Sequence, residues 1–427
     1  MRGSWRFRLA VVLVAALALR VGLVLATPGY VPSFDAADFA FHATILGEEG
    51  RYPPWFPGSL SASAFRPPAY PHLVAALWEI TGPSVTAARM MGAALGAVVV
   101  LLTYLVAGAL WGRRTAEWAG AIAAVAPPLV LMGGTLLSEV LFAPLLLGIV
   151  LAGLRHRRAP ALRWAAVIGV LCGLATLTRS NGLVLLLPAA LAVVGSGASL
   201  RRSALSVGVV VAAFAVTVAP WAVRNAQAFD RLAPLSTQAG FSLRGQFNAA
   251  TAADGPVQAA PRSPADIPGV PEARAAGRDE LATDQALRGP ALRYALDHPA
   301  VVGEVLRLNA LRTLETGGHP SFTNSWDAER DAVGVRRDLY RLGFWALAAL
   351  TLAAVAWGPV RRSLRRVPVW VWLVPGLCLA STIPLIGNPR YRLPLDPFLV
   401  LAGAVLLDAL SARRGRDEAS SISLPVP

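Results

Sequence analysis

Long apolar runs separated by short polar connections dominate the chain, and they predict helices that cross a membrane. A helix needs about 20 mostly apolar residues to cross the hydrocarbon core of a bilayer. Runs that meet or approach this length lie near residues 8–27, 87–111, 117–132, 137–154, 164–177, 182–194, 203–223, 342–357, 368–385 and 394–410. The apolar helix expected at 70–80 is too short to cross and suits a juxtamembrane position. The pattern predicts an all-α polytopic membrane protein, with about ten transmembrane helices and a juxtamembrane helix in its outer loop.

The arginines punctuate these runs and set the orientation. They cluster at every second connection, at 2–8, 113–114, 155–158, 201–202, 361–366 and 413–416. By the positive-inside rule these connections are cytoplasmic, and so are both termini. The chain then divides into a transmembrane module (1–223) with its first outer loop (28–86), an outer segment with amphipathic helices (224–341), C-terminal transmembrane helices (342–412) and a disordered tail (413–427). Within the outer segment, 249–284 is expected to be irregular because it lacks apolar periodicity.

Composition agrees with a membrane setting and excludes several classes of protein. The chain is 55% hydrophobic and 15% charged, with a mean hydropathy of +0.53. Its net charge of +14 comes from arginine alone, since no lysine occurs. A soluble nucleic-acid-binding protein would not carry this much apolar sequence, so we expect no nucleic-acid partner. A phosphate-binding glycine loop and a Cys/His zinc pattern are also absent from the sequence, which argues against nucleotide-driven activity.

An acidic pair and an arginine follow the first span on the predicted outer side. Asp35 and Asp38 share one helical face at a spacing of three, and Arg66 lies in the same loop. At a membrane surface, a carboxylate can deprotonate an acceptor while a fixed arginine holds an anionic leaving group. Each aspartate could instead cap a helix, and that alternative stays open. Glu139, at the mouth of a span, has the same two interpretations.

Further polar and aromatic side chains fall on the same predicted side. The arginines are Arg66, Arg179, Arg224, Arg390 and Arg392, and the other binding candidates are Tyr70 and Asn225. Guanidinium groups grip phosphate bidentately, whereas a single outer arginine could simply anchor a helix at the interface. Five arginines on the predicted outer side run against the positive-inside rule, and this favours an anionic ligand there. The aromatic side chains suited to stack on a sugar, or equally to form an interfacial belt, are Tyr52, Trp55, Phe56 and Tyr70.

Short motifs recur in a fixed order on this side of the membrane. After the acidic residue of the first loop come FRPPAYP at 65–71, SEVLF at 138–142, LTRSNG at 177–182, APWAVRN at 219–225 and PRYRLP at 389–394. In order and side, this set resembles the bacterial GT-C glycosyltransferases of the family 39-like group. That group includes the protein O-mannosyltransferases and the aminoarabinose transferases.

The resemblance implies a polyprenyl-phosphate sugar as donor, transfer on the extracytoplasmic face of a bacterial plasma membrane, and inversion at the anomeric carbon. It also implies that an aspartate of the first outer loop is the general base, and Asp35 is the matching position. Ala36 stands where the protein mannosyltransferases have a glutamate, so Asp38 stays open as the alternative base. Some relatives use a divalent metal such as Mg or Mn, but this sequence supplies no convincing ligand set.

These observations predict a mechanism and leave two rivals. An acceptor hydroxyl of an extracytoplasmic glycan, lipid or protein, bound to Asp35, would attack the anomeric carbon, with Glu139 positioning donor or acceptor. The arginines expected to stabilise the departing lipid phosphate are Arg66, Arg224, Arg390 and Arg392. The main rival is a polytopic transporter or flippase of a lipid-linked or anionic substrate, because intramembrane charges also mark transport pathways. A membrane scaffold without activity is the second.

Overall fold

The computed structural model describes residues 3–54, 63–195, 197, 199–233, 235–253, 264–317, 329, 334 and 337–422. Every regular element in these ranges is helical, which agrees with the predicted all-α class. The α-helices are α1 (Gly3–Leu25), α2 (Phe34–Glu49), α3 (Ala69–Thr81), α4 (Val85–Trp111), α5 (Arg113–Val125), α6 (Pro127–Gly133), α7 (Glu139–Arg158), α8 (Leu162–Thr178), α9 (Leu186–Val194), α10 (Leu200–Ala228), α11 (Ala239–Gln246), α12 (Ala249–Ala253), α13 (Val270–Ala275), α14 (Glu280–Asp297), α15 (Pro299–Thr313), α16 (Arg337–Ala356), α17 (Gly358–Arg365), α18 (Val369–Thr382) and α19 (Asp396–Ile422). Short 3₁₀ turns occupy Ser180–Leu185, Pro264–Asp266 and Pro389–Arg392.

Several of these helices are long and apolar enough to cross a membrane. Among the described residues there are five, at Trp5–Leu25, Val85–Trp111, Glu139–Arg158, Leu200–Ala228 and Asp338–Ala356. A sixth arises if α5 and α6 are counted as one bent span. Three shorter apolar helices, Leu162–Thr178, Ser180–Val194 and Val369–Thr382, coincide with further predicted spans. The chain is therefore a multi-pass membrane protein, while the total of ten crossings stays a prediction.

The span expected at 117–132 is broken into two helices. α5 ends at Val125, and α6 begins at Pro127 after a bend of 59°. Proline lacks an amide hydrogen and disfavours a helical residue before it, so the helix cannot run through the bend. The buried Arg20 of α1 donates hydrogen bonds of 3.1 to 3.3 Å to carbonyls on both sides of the break, those of Ala123, Ala124 and Leu129. Arg20 thereby satisfies main-chain groups that lipid could not.

Small residues allow neighbouring spans to approach closely. Gly169 on α8 faces α10 so tightly that a Cβ atom there would lie 2.3 Å from the carbonyl oxygen of Val210. Gly173, one turn later, meets the side chain of Thr217 in the same way. Because lipid tails are as apolar as leucine, such close van der Waals packing is a main source of helix association in a membrane. The two glycines therefore fix the pairing of α8 with α10.

Among the described residues, the predicted first outer loop (28–86) contains two complete helices, and the predicted second outer segment (224–341) contains several more. The short helix expected at 70–80 is confirmed as α3, and it packs against α2, with the Phe39 and Tyr70 rings 5.1 Å apart. The segment 249–284 is not irregular throughout, because α12, α13 and the start of α14 lie in it; residues 254–263 are outside the described ranges. Asp279 starts α14 as an N-cap, accepting from the amide of Ala282 at 2.7 Å.

The C-terminal tail also differs from its prediction. The helix α19 runs to Ile422, nine residues beyond the boundary expected at 413. Three of the ten residues from 413 to 422 are arginine, a strong helix former, and the helix continues past the apolar pattern that ends near residue 410.

Candidate active site

Two aspartates of α2 form ion pairs with the arginine that follows in the same loop. Nη2 of Arg66 lies 2.6 Å from Oδ1 of Asp35, and its Nε contacts Oδ2 of Asp38. The other oxygen of Asp38 lies 3.2 Å from Nδ1 of His42, one turn further along α2. The spacing of three that the sequence showed thus places both carboxylates on one guanidinium, and the observed partners are arginines rather than the helix-capping amides.

A second arginine connects this pair to a third carboxylate. Nη1 of Arg390, in the 3₁₀ turn Pro389–Arg392, lies 2.7 Å from Oδ2 of Asp35. Its Nε lies 2.8 Å from Oε1 of Glu139, at the start of α7. The same glutamate oxygen contacts Nη1 of Arg179, which follows α8. Arg390 and Glu139 are almost fully buried, with side chains 2% and 3% exposed.

Six side chains from five separate segments therefore form one alternating chain of charge. We call it the arginine–carboxylate network, and its members in order are Asp38, Arg66, Asp35, Arg390, Glu139 and Arg179. Three positive and three negative groups balance each other, which makes the burial of each one tolerable. Asp35 occupies the middle, because each of its oxygens faces a different guanidinium.

The network borders a cavity of about 320 Å³. All three network arginines line it, while the three carboxylates are behind them and outside its lining. Polar groups of the second outer segment form another part of the wall, namely Ser236, Gln238 and Ser242. The volume lies in the range of small-molecule sites, about 300 to 1,000 Å³. A cavity with guanidinium groups on one side and hydroxyl and amide groups on another suits a phosphorylated, hydroxyl-rich ligand.

Charge and burial act against each other on the aspartates. Burial by itself would raise the pKa of Asp35, but the guanidinium groups of Arg66 and Arg390 outweigh it and hold that pKa well below the usual range. The pKa of Asp38 is also lowered, because Arg66 and then His42 overcome the effect of burial. Both carboxylates are therefore ionised at neutral pH. Asp35 is a weak base for as long as both arginines stay on it.

The other predicted residues have different surroundings. Nη1 of Arg224 donates to the carbonyl oxygen of Ser63 at 2.5 Å, and Asn225 accepts from the same Nη1 at 3.1 Å. Arg224 is therefore bound to the main chain that leads to Arg66 and does not line the cavity. On the other side, the hydroxyl of Tyr52 donates to the carbonyl oxygen of Arg66 at 2.7 Å. These groups hold the main chain on both sides of Arg66.

Two predicted residues lie away from the cavity wall. Arg392 is fully buried, 2.9 Å from Glu315, and its guanidinium lies 3.8 Å from the centroid of the Phe344 ring. Tyr70 is fully buried against Phe39, and its hydroxyl has no hydrogen-bond partner among the described residues. Neither side chain belongs to the cavity lining. Of the aromatic candidates, Trp55 and Phe56 lie outside the described residues.

A buried glutamate that the sequence did not point out ties the two outer segments together. Glu280, at the start of α14, accepts hydrogen bonds from the Ser63 hydroxyl and the Ala64 amide, both at 2.8 Å. It also accepts from the Thr237 hydroxyl at 2.5 Å, and burial raises its pKa. These contacts fasten the segment before Arg66 to the residues that carry the hydroxyl wall of the cavity. Its only sequence signal was an acidic cluster inside a stretch expected to be irregular.

A second buried glutamate lies beside the first outer loop. Glu329 is fully buried and accepts a hydrogen bond of 2.5 Å from the hydroxyl of Tyr30. Burial raises the pKa of Glu329 to about 7. This side chain can therefore change its charge near neutral pH.

The described residues do not fit a metal site of the usual kind. No three His, Cys, Asp or Glu side chains within the described ranges cluster as ligands. Asp35 and Glu139 direct their oxygens at guanidinium groups, which are positive and would compete with a cation. The divalent metal used by some relatives accordingly stays a prediction, and no step below depends on it.

Comparison with known proteins supports the predicted resemblance. Residues 65–222 match the model of the family described as dolichyl-phosphate-mannose-protein mannosyltransferase. No curated protein matches the chain. The matched region includes Arg66, Glu139 and Arg179 of the network.

The fold is similar to that of solved membrane enzymes. One is the archaeal oligosaccharyltransferase AglB from Archaeoglobus fulgidus, in complex with an inhibitory peptide and a dolichol-phosphate. It is 14% identical with a TM-score of 0.56, and the match covers 100% of this chain and 52% of AglB. The Archaeoglobus fulgidus oligosaccharyltransferase in complex with Zn and sulfate is 16% identical with a TM-score of 0.54, covering 94% and 49%. ArnT from Cupriavidus metallidurans bound to undecaprenyl phosphate is 16% identical with a TM-score of 0.43, covering 97% and 80%. The chain thus spans about half the length of the oligosaccharyltransferase. The predicted GT-C-like fold is confirmed.

Proposed function

We propose that this chain, a multi-pass membrane protein with the GT-C fold of the protein mannosyltransferase and aminoarabinose transferase type, transfers a sugar from a polyprenyl-phosphate donor to an acceptor hydroxyl. The observation that carries the proposal is the arginine–carboxylate network against a polar cavity. The family match over 65–222 supports it, and so does the solved complex of AglB with a dolichol-phosphate. The transporter alternative is not favoured by these comparisons.

The arginines would hold the donor phosphate. Arg66, Arg179 and Arg390 line the cavity together, and each guanidinium offers parallel N–H groups that match two phosphate oxygens. When the bond from the anomeric carbon to the phosphate oxygen breaks, negative charge grows on the leaving lipid phosphate. Fixed positive charges aimed at that oxygen stabilise the transition state more than the ground state, which accelerates the reaction.

Asp35 would accept the proton of the acceptor hydroxyl. The acceptor oxygen forms a bond to the anomeric carbon, its proton moves to Asp35, and the bonding electrons of the broken bond leave with the lipid phosphate. Attack from the side opposite the phosphate inverts the anomeric carbon. Because Arg66 and Arg390 weaken Asp35 as a base, the incoming phosphate has a second effect in this scheme. By drawing the same two guanidinium groups towards itself, it raises the pKa of Asp35 when the donor is bound.

Asp38 and Glu139 would position the arginines. Asp38 contacts Nε of Arg66, next to the Nη2 atom that faces Asp35, and Glu139 contacts both Arg390 and Arg179. Like Asp35, neither carboxylate belongs to the cavity lining, but Asp38 keeps His42 as a second partner and Glu139 contacts two arginines through one oxygen. We assign them to the support of the phosphate-binding groups, while the hydroxyl and amide groups of Ser236 and Gln238 would contact the sugar or the acceptor.

We place the reaction on the extracytoplasmic face of a bacterial plasma membrane. The support is the arginine distribution, which makes the opposite ends of the helices and both termini cytoplasmic. The acceptor is then a hydroxyl of an extracytoplasmic glycan, lipid or protein.

The proposal is tested by donor-dependent release of lipid phosphate. Purified protein in proteoliposomes is incubated with labelled polyprenyl-phosphate sugars and candidate acceptors, and free polyprenyl phosphate and labelled acceptor are measured. We expect Asp35→Asn to lower the transfer rate by about 100- to 10,000-fold, the usual contribution of a general base. Asp38→Asn should mainly raise KM for the donor, because it loosens Arg66.

The matched control is Glu304→Gln, which removes a partly exposed carboxylate paired with Arg307 on α15. It should leave transfer unchanged. Normal transfer by a folded Asp35→Asn variant would contradict the assignment of the base. If no donor yields lipid phosphate while labelled substrate crosses proteoliposomes, the protein is a transporter instead.

A further inference from the structure

A second cavity lies among the C-terminal helices and has no role in the proposed reaction. Its volume is about 490 Å³, and apolar side chains of α16, α18 and α19 form most of the wall. They include Val355, Trp372, Phe398 and Leu399. A cavity of this size within a transmembrane helix bundle is wide enough for part of a lipid.

The polar part of the wall comes from one short helix. Arg361 and Arg365 of α17 both line the cavity, four residues apart and therefore on the same helical face. Both are exposed, and neither has a carboxylate partner among the described residues. Val360 and Leu364 of the same helix are buried. The helix is thus amphipathic, with an apolar side in the protein and arginines outside, as in a helix that lies at a membrane interface.

The two arginines of the cavity wall favour a negatively charged ligand. An apolar chamber in contact with hydrocarbon accepts an acyl chain, and two uncompensated guanidinium groups at the same chamber require a negative charge. Basic pockets between transmembrane helices bind anionic lipid headgroups for this reason. A zwitterionic phospholipid carries its own ammonium group and would satisfy the arginines less well.

We propose that this cavity is a binding site for an anionic phospholipid, with an acyl chain between α16 and α19 and the phosphate on Arg361 and Arg365. The site lies in the arginine-rich connection at 361–366, so it belongs to the predicted cytoplasmic leaflet. It is separate from the donor cavity, with which it shares no lining residue.

The chain offers a matched pair of variants for the test. The double variant Arg361→Ala/Arg365→Ala removes the two arginines of the cavity. The double variant Arg362→Ala/Arg366→Ala removes two exposed arginines from the same connection that do not line it. Both change the net charge equally, so a general attraction to anionic membranes affects them alike. A third variant, Val355→Trp, fills the cavity from an exposed position and leaves the arginines in place.

Binding is measured by native mass spectrometry of the full-length protein in detergent, with titration of phosphatidylglycerol and phosphatidylcholine. Wild type should retain phosphatidylglycerol in preference. The Arg361→Ala/Arg365→Ala variant should bind it roughly 30-fold more weakly, as expected for two arginines near a lipid phosphate. The Arg362→Ala/Arg366→Ala variant should stay close to wild type, and Val355→Trp should lose binding.

Three outcomes would overturn the proposal. Equal losses in the two double variants would mean that only the overall charge matters. Equal retention of phosphatidylcholine by wild type would remove the preference for an anion. Tighter, Arg361-dependent retention of undecaprenyl phosphate than of phosphatidylglycerol would assign the cavity to the carrier lipid.

Discussion

Replacing Arg66 with lysine tests the network while keeping its charge. The guanidinium contacts Asp35 and Asp38 at the same time, through two different nitrogens. A lysine ammonium is a point charge and cannot reproduce both contacts in this geometry. The loss of one hydrogen bond to a charged group costs about 1.5 to 3 kcal/mol. If that contact also orients the group that binds phosphate, kcat/KM for the donor should fall by about ten- to 150-fold.

The pH profile gives the same substitution a second, independent readout. A general base works only when ionised, so activity is lost as the pH falls through the pKa of Asp35. In the wild type, Arg66 and Arg390 overcome the effect of burial and hold that pKa below its usual range, which places the acid limb of kcat/KM below about pH 4. Lysine at position 66 weakens one of these contacts. The pKa of Asp35 then rises, and the acid limb moves to higher pH.

The assay is donor-dependent transfer in proteoliposomes, measured from about pH 4 to pH 8. The control is Arg231→Lys, which alters an exposed arginine paired with Asp279 and outside the cavity lining. It should change neither the rate nor the profile. An Arg66→Lys variant with wild-type kcat/KM and an unmoved acid limb would refute the role of Arg66. Equal losses in both variants would show that outer arginines in general, rather than this network, support activity.

Three further predictions concern stability and assembly of the site. Burial raises the pKa of Glu329 to about 7 in the folded state, so the contribution of its protonation to stability is fully present below about pH 4.3. Roughly 3 kcal/mol of the free energy of unfolding is lost as the pH rises from there to about 7. Glu329→Gln should therefore flatten the dependence of the melting temperature on pH in that window. Glu280→Gln leaves one acceptor oxygen for three donors, so it should cost about 1 to 3 kcal/mol in a denaturation assay and raise KM for the donor; unchanged KM would contradict its positioning role. Gly169→Ala should destabilise the protein by about 1 to 3 kcal/mol, because its Cβ would meet the Val210 carbonyl. The control Gly208→Ala should not, because a Cβ atom there has nothing within 4 Å. Similar melting temperatures for the two variants would count against tight α8–α10 packing.

The helices were largely predictable because the membrane imposes a simple pattern. The span expected at 137–154 is α7, Glu139–Arg158, and the one expected at 203–223 is α10, Leu200–Ala228. Apolar length and flanking arginines carry this information along the sequence. The break before Pro127 was also written in the sequence, as a double proline. Hydropathy alone does not predict this break, because proline interrupts a helix without interrupting an apolar run.

The site was predictable only in part. The sequence indicates on which side of the membrane a residue lies, but it does not show which residues of that side contact one another. The sequence predicts that five arginines lie on one side of the membrane, and three of them line the cavity. Arg390 and Arg392 are only two residues apart, yet a 3₁₀ turn has three residues per turn, so their side chains leave it in different directions. Arg390 reaches Asp35, and Arg392 reaches Glu315. Glu280 was missed because its partners, at 63, 64 and 237, are distant in sequence.

The geometry also separates the two aspartates that the sequence could not rank. Asp38 is held by Arg66 and by His42 of its own helix, so a phosphate that moves Arg66 leaves Asp38 with a partner. Among the described residues, Asp35 is paired with two arginines of the cavity wall, one on each oxygen. A phosphate in the cavity therefore competes for both contacts of Asp35 and for one of Asp38. The carboxylate whose basicity responds most strongly to the donor is Asp35, and a base that strengthens when the leaving group is in place is protected from premature protonation in its absence.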